Sequence, residues 1–250
     1  MKLKVLGSSS KGNCYILSTP TGSLLLDCGL PWREIQKGLN FDLSDVLGCL
    51  VTHFHLDHLK SVRDVLRNGI DVWTSAETLN NLPPMKAGDY RLTYICAPKV
   101  QFKVCDFTVL PFSTEHDAEG SIGFIIQYKP TGEKLLYLTD SYYCKYRFKG
   151  LNYIMIECNY IKETLDWNIE NGYVNEAMKP RLLQSHFSLE NVKKFLQAND
   201  LSQCRKIVLL HLSYSNSDAS RMVREINELT GIETLIADAG LELELEQYPY

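Results

Sequence analysis

Residues 50–62 read "LVTHFHLDHLKSV", and four potential metal ligands, His53, His55, Asp57 and His58, fall within six of those positions. The stretch sits where an apolar run gives way to a helical pattern. In an extended segment, residues two apart face the same side, so His53 and His55 can grip one cation together. A turn into a helix then lets Asp57 and His58 address a second position. The bland alternative makes Asp57 a helix cap and leaves the histidines on a surface loop.

Working outward, residues of the same chemistry close other strand-like runs: His116 in "PFSTEHDAEG", Asp140 in "LLYLTDS" and His211 in "KIVLLHLS". Taken singly, each is an ordinary polar residue at a strand end. Together with the first cluster they form a pattern, because strand ends in a packed α/β core converge on one edge. Apolar runs recur along the chain as "KLKVLG", "CYILS", "SLLLDCG", "VLGCLVTH", "FTVLPF", "GFIIQY", "KLLYLTD", "YIMIEC", "KIVLLH" and "ETLIAD", each read as a strand. Helical periodicity is clearest in "SLENVKKFLQAND", with Leu189, Val192, Phe195 and Leu196, and in "SDASRMVREINELTG", with Met222, Val223, Ile226 and Leu229 before Gly231. Residues 158–181 show poor periodicity and form the candidate lid or insertion in a single domain spanning 1–250.

Composition narrows the class. Hydrophobic residues at 45% and charged residues at 22% are ordinary for a globular protein, and a net charge of -4 advertises no nucleic-acid partner over long range. "MKLKVLGSSSKGN" has no long apolar core of a signal peptide and no stretch nears the ~20 apolar residues of a membrane span, so a cytoplasmic protein without membrane contact is expected. None of the eight cysteines is spaced Cys-x-x-Cys, which makes reduced, mostly buried thiols the expectation.

The His-x-His-x-Asp-His stretch, the later His116, Asp140 and His211, and Asp27 after "SLLLD" resemble the ordered motifs of the metallo-β-lactamase-fold hydrolases. The resemblance spans residues 1 to about 240. It implies an α/β four-layer αββα sandwich with the active site at one edge of the sheets. Position by position, it implies that His53, His55 and His116 hold one metal, that Asp57, His58 and His211 hold a second, and that Asp140 bridges both. Asp27 would support the site by hydrogen bonding. A bridging carboxylate favours a dinuclear phosphoesterase over the cysteine-containing sites of true β-lactam hydrolases. Two Zn²⁺ per chain are the first choice of cofactor, with Mn²⁺ the alternative.

"LGSSSKGNCYIL" is similar to a signature of the branch that includes the bacterial YycJ/WalJ-type proteins and the phage anti-Pycsar proteins. "ECNY" and "HLSYSNSD" agree with that branch. Ser8, Ser9 and Ser10 are either a hairpin turn or phosphate contacts. The branch implies two activities: hydrolysis of 3′,5′-cyclic mononucleotides to 5′-monophosphates by a homodimer, opposing a cyclic-nucleotide anti-phage signal, or processing of DNA ends. Compact length and the lack of a basic balance tip the expectation towards the cyclic nucleotide, with the nuclease as alternative. Tyr160, Trp167 and Tyr173 would wall a small pocket, unless they are plain core packing.

With five of the six histidines assigned to metals, His186 in "LQSHFSLENV" is left over. It precedes Ser188, a natural cap for the helix beginning near Leu189. In the resembling families a histidine in this region sits beside the phosphate, so His186 is expected to join Asp57 as a catalytic residue, donating a proton to the leaving oxygen or a hydrogen bond to the phosphoryl group. The alternative is a surface histidine beside a cap.

Overall fold

The computed structural model describes residues 1–82, 84 and 88–245. The chain divides into two compact units, residues 1–113, 118–133 and 237–250 in the first and 114–117 and 134–236 in the second.

The first unit begins with an antiparallel run, β1 (Lys2–Ser9), β2 (Gly12–Thr19) and β3 (Gly22–Leu26), flanked at β1 by the strand Glu242–Glu244. From β3 the pairing turns parallel through β4 (Val46–Leu50), β5 (Val72–Thr74) and β6 (Thr93–Ile95). Alternation explains β1, where Leu3 and Val5 are buried while Lys2 and Lys4 face outward to Glu242. β3 carries "LLL" without alternation, as a strand buried on both faces should. A meander of β7 (Phe102–Val104), β8 (Phe107–Ser113) and β9 (Ile122–Tyr128) completes this unit's strands among the described residues.

The second unit holds four parallel strands, β10 (Lys134–Leu138), β11 (Tyr153–Glu157), β12 (Lys206–Leu210) and β13 (Glu233–Ile236). Their register matters most for function. Leu138 pairs with Ile156, and Glu157 pairs with Leu210, so Asp140, Glu157 and His211 leave the sheet at the same, carboxyl-terminal edge. Ligand-bearing residues gather at that edge in open parallel sheets.

Each of the ten apolar runs contains a strand. The strands missed, β5, β6, β7 and Glu242–Glu244, are three residues long, too short to show a period. Both expected helices form. Leu189–Gln197 buries Leu189, Val192, Phe195 and Leu196 behind a Ser188 cap, and Ala219–Thr230 starts at Asp218 and stops at left-handed Gly231. Within 158–181, which lacked a clear period, a helix spans Lys162–Glu170 and buries only Leu165 and Asn168. All eight cysteines are free, and six are buried. No helix among the described residues is long and apolar enough to cross a membrane.

Candidate metal centre

In the first unit the parallel pairing of Leu26 with Leu50 brings Asp27 beside Thr52, one residue before His53. The Asp27 carboxylate accepts from the Thr52 amide at 2.8 Å, from the Thr52 hydroxyl at 3.1 Å, and lies 2.8 Å from His58 Nδ1. A carboxylate only accepts, so His58 donates through Nδ1 and turns the lone pair of Nε2 outward. The Thr52 hydroxyl gives its one hydrogen to Asp27, so it accepts from His53 Nδ1 at 3.0 Å and leaves Nε2 of His53 as a lone pair too. That nitrogen lies 3.2 Å from His55 Nδ1. Asp27 therefore sets two tautomers, one directly and one through a threonine.

The helix Leu56–Leu59 carries Asp57 and His58, and the residue preceding it as cap is His55. Asp57 is thus inside the helix rather than capping it. Asp57 Oδ2 and His58 Nε2 lie 3.5 Å apart, and the amide of buried Asn13 reaches both, at 3.3 and 3.0 Å. Backbone contact fixes the segment: Cys28 N donates to His58 O at 2.7 Å and Gly29 N to Asn13 O at 2.9 Å. A Cβ on Gly29 would fall 1.7 Å from the Asp57 carbonyl oxygen, so no side chain fits there.

In the second unit, His116 donates from Nδ1 to the Ser185 carbonyl at 2.9 Å. Its Nε2 faces Asp117 Oδ1 at 3.2 Å and Asp140 Oδ2 at 3.9 Å. A lone pair against two carboxylate oxygens is repulsive unless a cation or proton intervenes, which fits a metal position. His211 Nδ1 lies 3.4 Å from Asp140 Oδ1 and 3.3 Å from Glu157 Oε1, and Asn159 donates to the His211 carbonyl at 2.7 Å. One ligand atom each from Asp140, Glu157, His186 and His211 lies within 4.8 Å of the others.

Glu157 is the residue the sequence reading did not assign. It is fully buried, and its Oε2 accepts from the backbone amides of Ser141 at 2.9 Å and Phe187 at 3.1 Å. Its Oε1 lies 2.6 Å from His186 Nδ1. Burial opposes charge on both groups, but each is the other's counter-ion: the His186 imidazole is held above its ordinary value and the Glu157 carboxyl below its own. The carboxylate thus favours the protonated form of the His186 imidazole, the form that can give up a proton. Its ring stacks on that of His211, centroids 5.4 Å apart.

Asp27, Asp140 and His211 share a backbone trait, positive φ of 57°, 42° and 53°, each just past a strand end. The left-handed region costs a non-glycine residue roughly 1–2 kcal/mol, and aspartate and histidine are among the types that enter it most readily.

Of the other candidates, Ser9 adjoins the first-unit ligands, since its carbonyl accepts at 3.1 Å from the Asn13 amide that reaches Asp57 and His58. Ser8 Oγ accepts from Tyr15 at 2.6 Å, Ser9 Oγ accepts from the Lys11 amide at 3.3 Å, and Ser10 is exposed in the β1–β2 turn. Tyr160 is 2% exposed and shielded from solvent, whereas Trp167 is 54% exposed and stacks on Tyr173.

Residues 9–132 match the metallo-beta-lactamase superfamily. The chain carries a metallo-β-lactamase superfamily domain. Over 99% of its length it is 26% identical to the exodeoxyribonuclease WalJ of Streptococcus pneumoniae, covering 93% of that protein. It is 27% identical to the exodeoxyribonuclease YycJ of Bacillus anthracis, over 87% of this chain and 84% of that protein. The fold matches the metallo-β-lactamase fold protein YhfI from Bacillus subtilis with a TM-score of 0.70 at 15% identity, over 97% and 99% of the two chains. The domain has the α/β architecture of mixed sheets and flanking helices that the resemblance implied. With its His and Asp donors it is a metal-dependent hydrolase of that fold.

The two tautomers set by Asp27 give a prediction. Asp27→Asn keeps the volume but replaces one acceptor oxygen by a donor, so His58 loses the partner that fixes Nδ1–H. Zinc affinity, read by competition with a chromogenic chelator, is expected to fall about 10–100-fold with the fold retained. Wild-type affinity in this variant would remove Asp27 from the site.

Proposed function

We propose that the chain is a dinuclear-metal phosphodiester hydrolase acting on DNA ends. In this reading His53, His55 and His116 hold one cation, Asp57, His58 and His211 the other, and Asp140 is shared. Imidazole lone pairs on His53, His58 and His116 with the carboxylates of Asp57 and Asp140 suit Zn²⁺, with Mn²⁺ the alternative. Two such cations supply Lewis acidity that activates water and neutralises phosphoryl charge.

The observation that carries the hydrolytic reading is the Glu157–His186 pair. The leaving deoxyribose oxygen needs a proton as the P–O bond breaks. A charged imidazole whose Nδ1 is tied to a buried carboxylate offers that proton from Nε2. Glu157 positions His186 and stabilises its charge; Asp27, Thr52 and the Ser185 carbonyl hold the ligand rings in the tautomers that bind. Asp57 acts through its ligand role.

Near full-length similarity to two proteins named exodeoxyribonucleases favours DNA as the substrate. A second reading keeps the 3′,5′-cyclic mononucleotide, with hydrolysis in a cytoplasmic homodimer. The exposed Trp167–Tyr173 stack, a ready aromatic wall for one base, favours it. End-labelled linear DNA and cyclic UMP, CMP, AMP and GMP, each with and without chelator, separate the two. Chelator-sensitive release of nucleotides from DNA is expected. Intact DNA beside hydrolysed cyclic nucleotide would replace the first reading by the second.

A further inference from the structure

A pocket of about 320 Å³ opens in the second unit between the segment after Asp140 and the helix Leu189–Gln197. The size lies at the lower end of ligand sites, roughly 300–1,000 Å³. Its floor is apolar, from Phe187 and Phe195, which are 1% and 5% exposed. The rim carries Lys145, Arg147, Lys194 and Tyr143, and among the described residues no acidic one lines it. Lys145 is paired with Glu115 at 2.8 Å, but the side chains of Arg147 and Lys194 have no ion pair among the described residues. Tyr143 is 55% exposed.

Two unpaired cations and an open aromatic ring around an apolar floor suit one ligand chemistry, a planar base joined to phosphate. The pocket is also tied to the reaction chemistry. Phe187 directly follows His186, and its amide donates to Glu157 at 3.1 Å. Ser141 directly follows Asp140. Its amide donates to the same carboxylate at 2.9 Å, and its hydroxyl donates to the Tyr143 carbonyl at 2.8 Å. The carboxylate that holds the proton donor therefore also anchors two walls of the pocket.

We propose that this pocket is a subsite for an unpaired nucleotide flanking the scissile bond of a nucleic-acid strand. Its base stacks on Tyr143 and its phosphates meet Arg147 and Lys194. The proposal rests on the DNA reading and narrows it to a substrate whose strand is single near the cut, because a duplex cannot enter a space of this size. The net charge of -4 does not oppose it, since the cations are local.

The test uses metal-loaded protein and a short phosphorothioate oligothymidylate, with affinity followed across about 50–200 mM salt. Arg147→Gln with Lys194→Gln is expected to weaken binding at least tenfold and to reduce the salt slope by about 1.4, two phosphates at roughly 0.7 each. The charge-keeping pair Arg147→Lys with Lys194→Arg should restore the slope. Tyr143→Ala should weaken binding about fivefold or more without changing the slope. For cleavable DNA the loss should appear in KM and exceed the loss on bis(4-nitrophenyl) phosphate, which is too small to reach the pocket. If the wild type cuts DNA and the charge-removing pair binds with unchanged affinity and slope, the subsite is refuted alone. If the wild type neither binds nor cuts DNA, the substrate reading and the subsite fall together.

Discussion

His186→Ala is expected to lower kcat on DNA by about 10²–10⁴-fold while leaving the bound metal content unchanged. The side chain's Nδ1 is committed to Glu157 at 2.6 Å, so the loss would be that of a proton donor. A phosphodiester whose leaving group departs as a stable anion needs no such proton. On bis(4-nitrophenyl) phosphate the same variant should therefore lose far less. Equal loss on both substrates, or loss of metal, would return His186 to a structural or ligand role. Glu157→Gln extends the argument to pH. Glu157 holds the His186 imidazole above its ordinary 6.5, overcoming burial, which pushes it down. A general acid must be protonated to act, so the alkaline limb of the rate profile reports this group. Removing the Glu157 charge moves that limb to lower pH.

Gly29→Ala is the second large effect. The added carbon would sit 1.7 Å from the Asp57 carbonyl oxygen, and that atom is backbone with nowhere to turn. Either the segment through Cys28 and Gly29 or the helix Leu56–Leu59 must shift, and the Cys28 N to His58 O bond is lost with it. A steric and hydrogen-bond loss of this kind costs about 3 kcal/mol or more, which for a chain of this size lowers Tm by about 6–12 °C. Zinc content should fall as Asp57 and His58 move. A variant with wild-type Tm and full metal content would show that the segment tolerates a side chain.

How much of this was legible depends on whether a residue's partner lies nearby in sequence. His53, His55, Asp57 and His58 announce themselves because four potential ligands crowd one strand-to-helix turn. His116, Asp140 and His211 became legible through that cluster, as strand-end residues of matching chemistry. Glu157 stands out in the sequence only as the start of "ECNY", a branch marker expected near the metals if His211 is, and its pairing with His186 is hidden because the two lie twenty-nine residues apart. Nothing in "CGL" reveals that Gly29 abuts a carbonyl twenty-eight residues later. His186 was noticed by subtraction, but its role rests on Glu157, and no local pattern joins the two. Among the aromatics proposed as a pocket wall, the sequence could not tell Tyr160, 2% exposed, from Trp167, 54% exposed, since burial there follows from long-range packing.

The left-handed turns at Asp27, Asp140 and His211 set stability and chemistry against each other at three positions. Glycine would adopt these conformations without the penalty of roughly 1–2 kcal/mol, but it has no donor atom to offer. A chain selected only to fold would place glycine there and lose the carboxylate that orients His58 together with two of the proposed ligands. Engineering this protein for heat resistance by relaxing backbone strain would thus strip the active site first, and thermal robustness has to be sought at positions away from the strand ends.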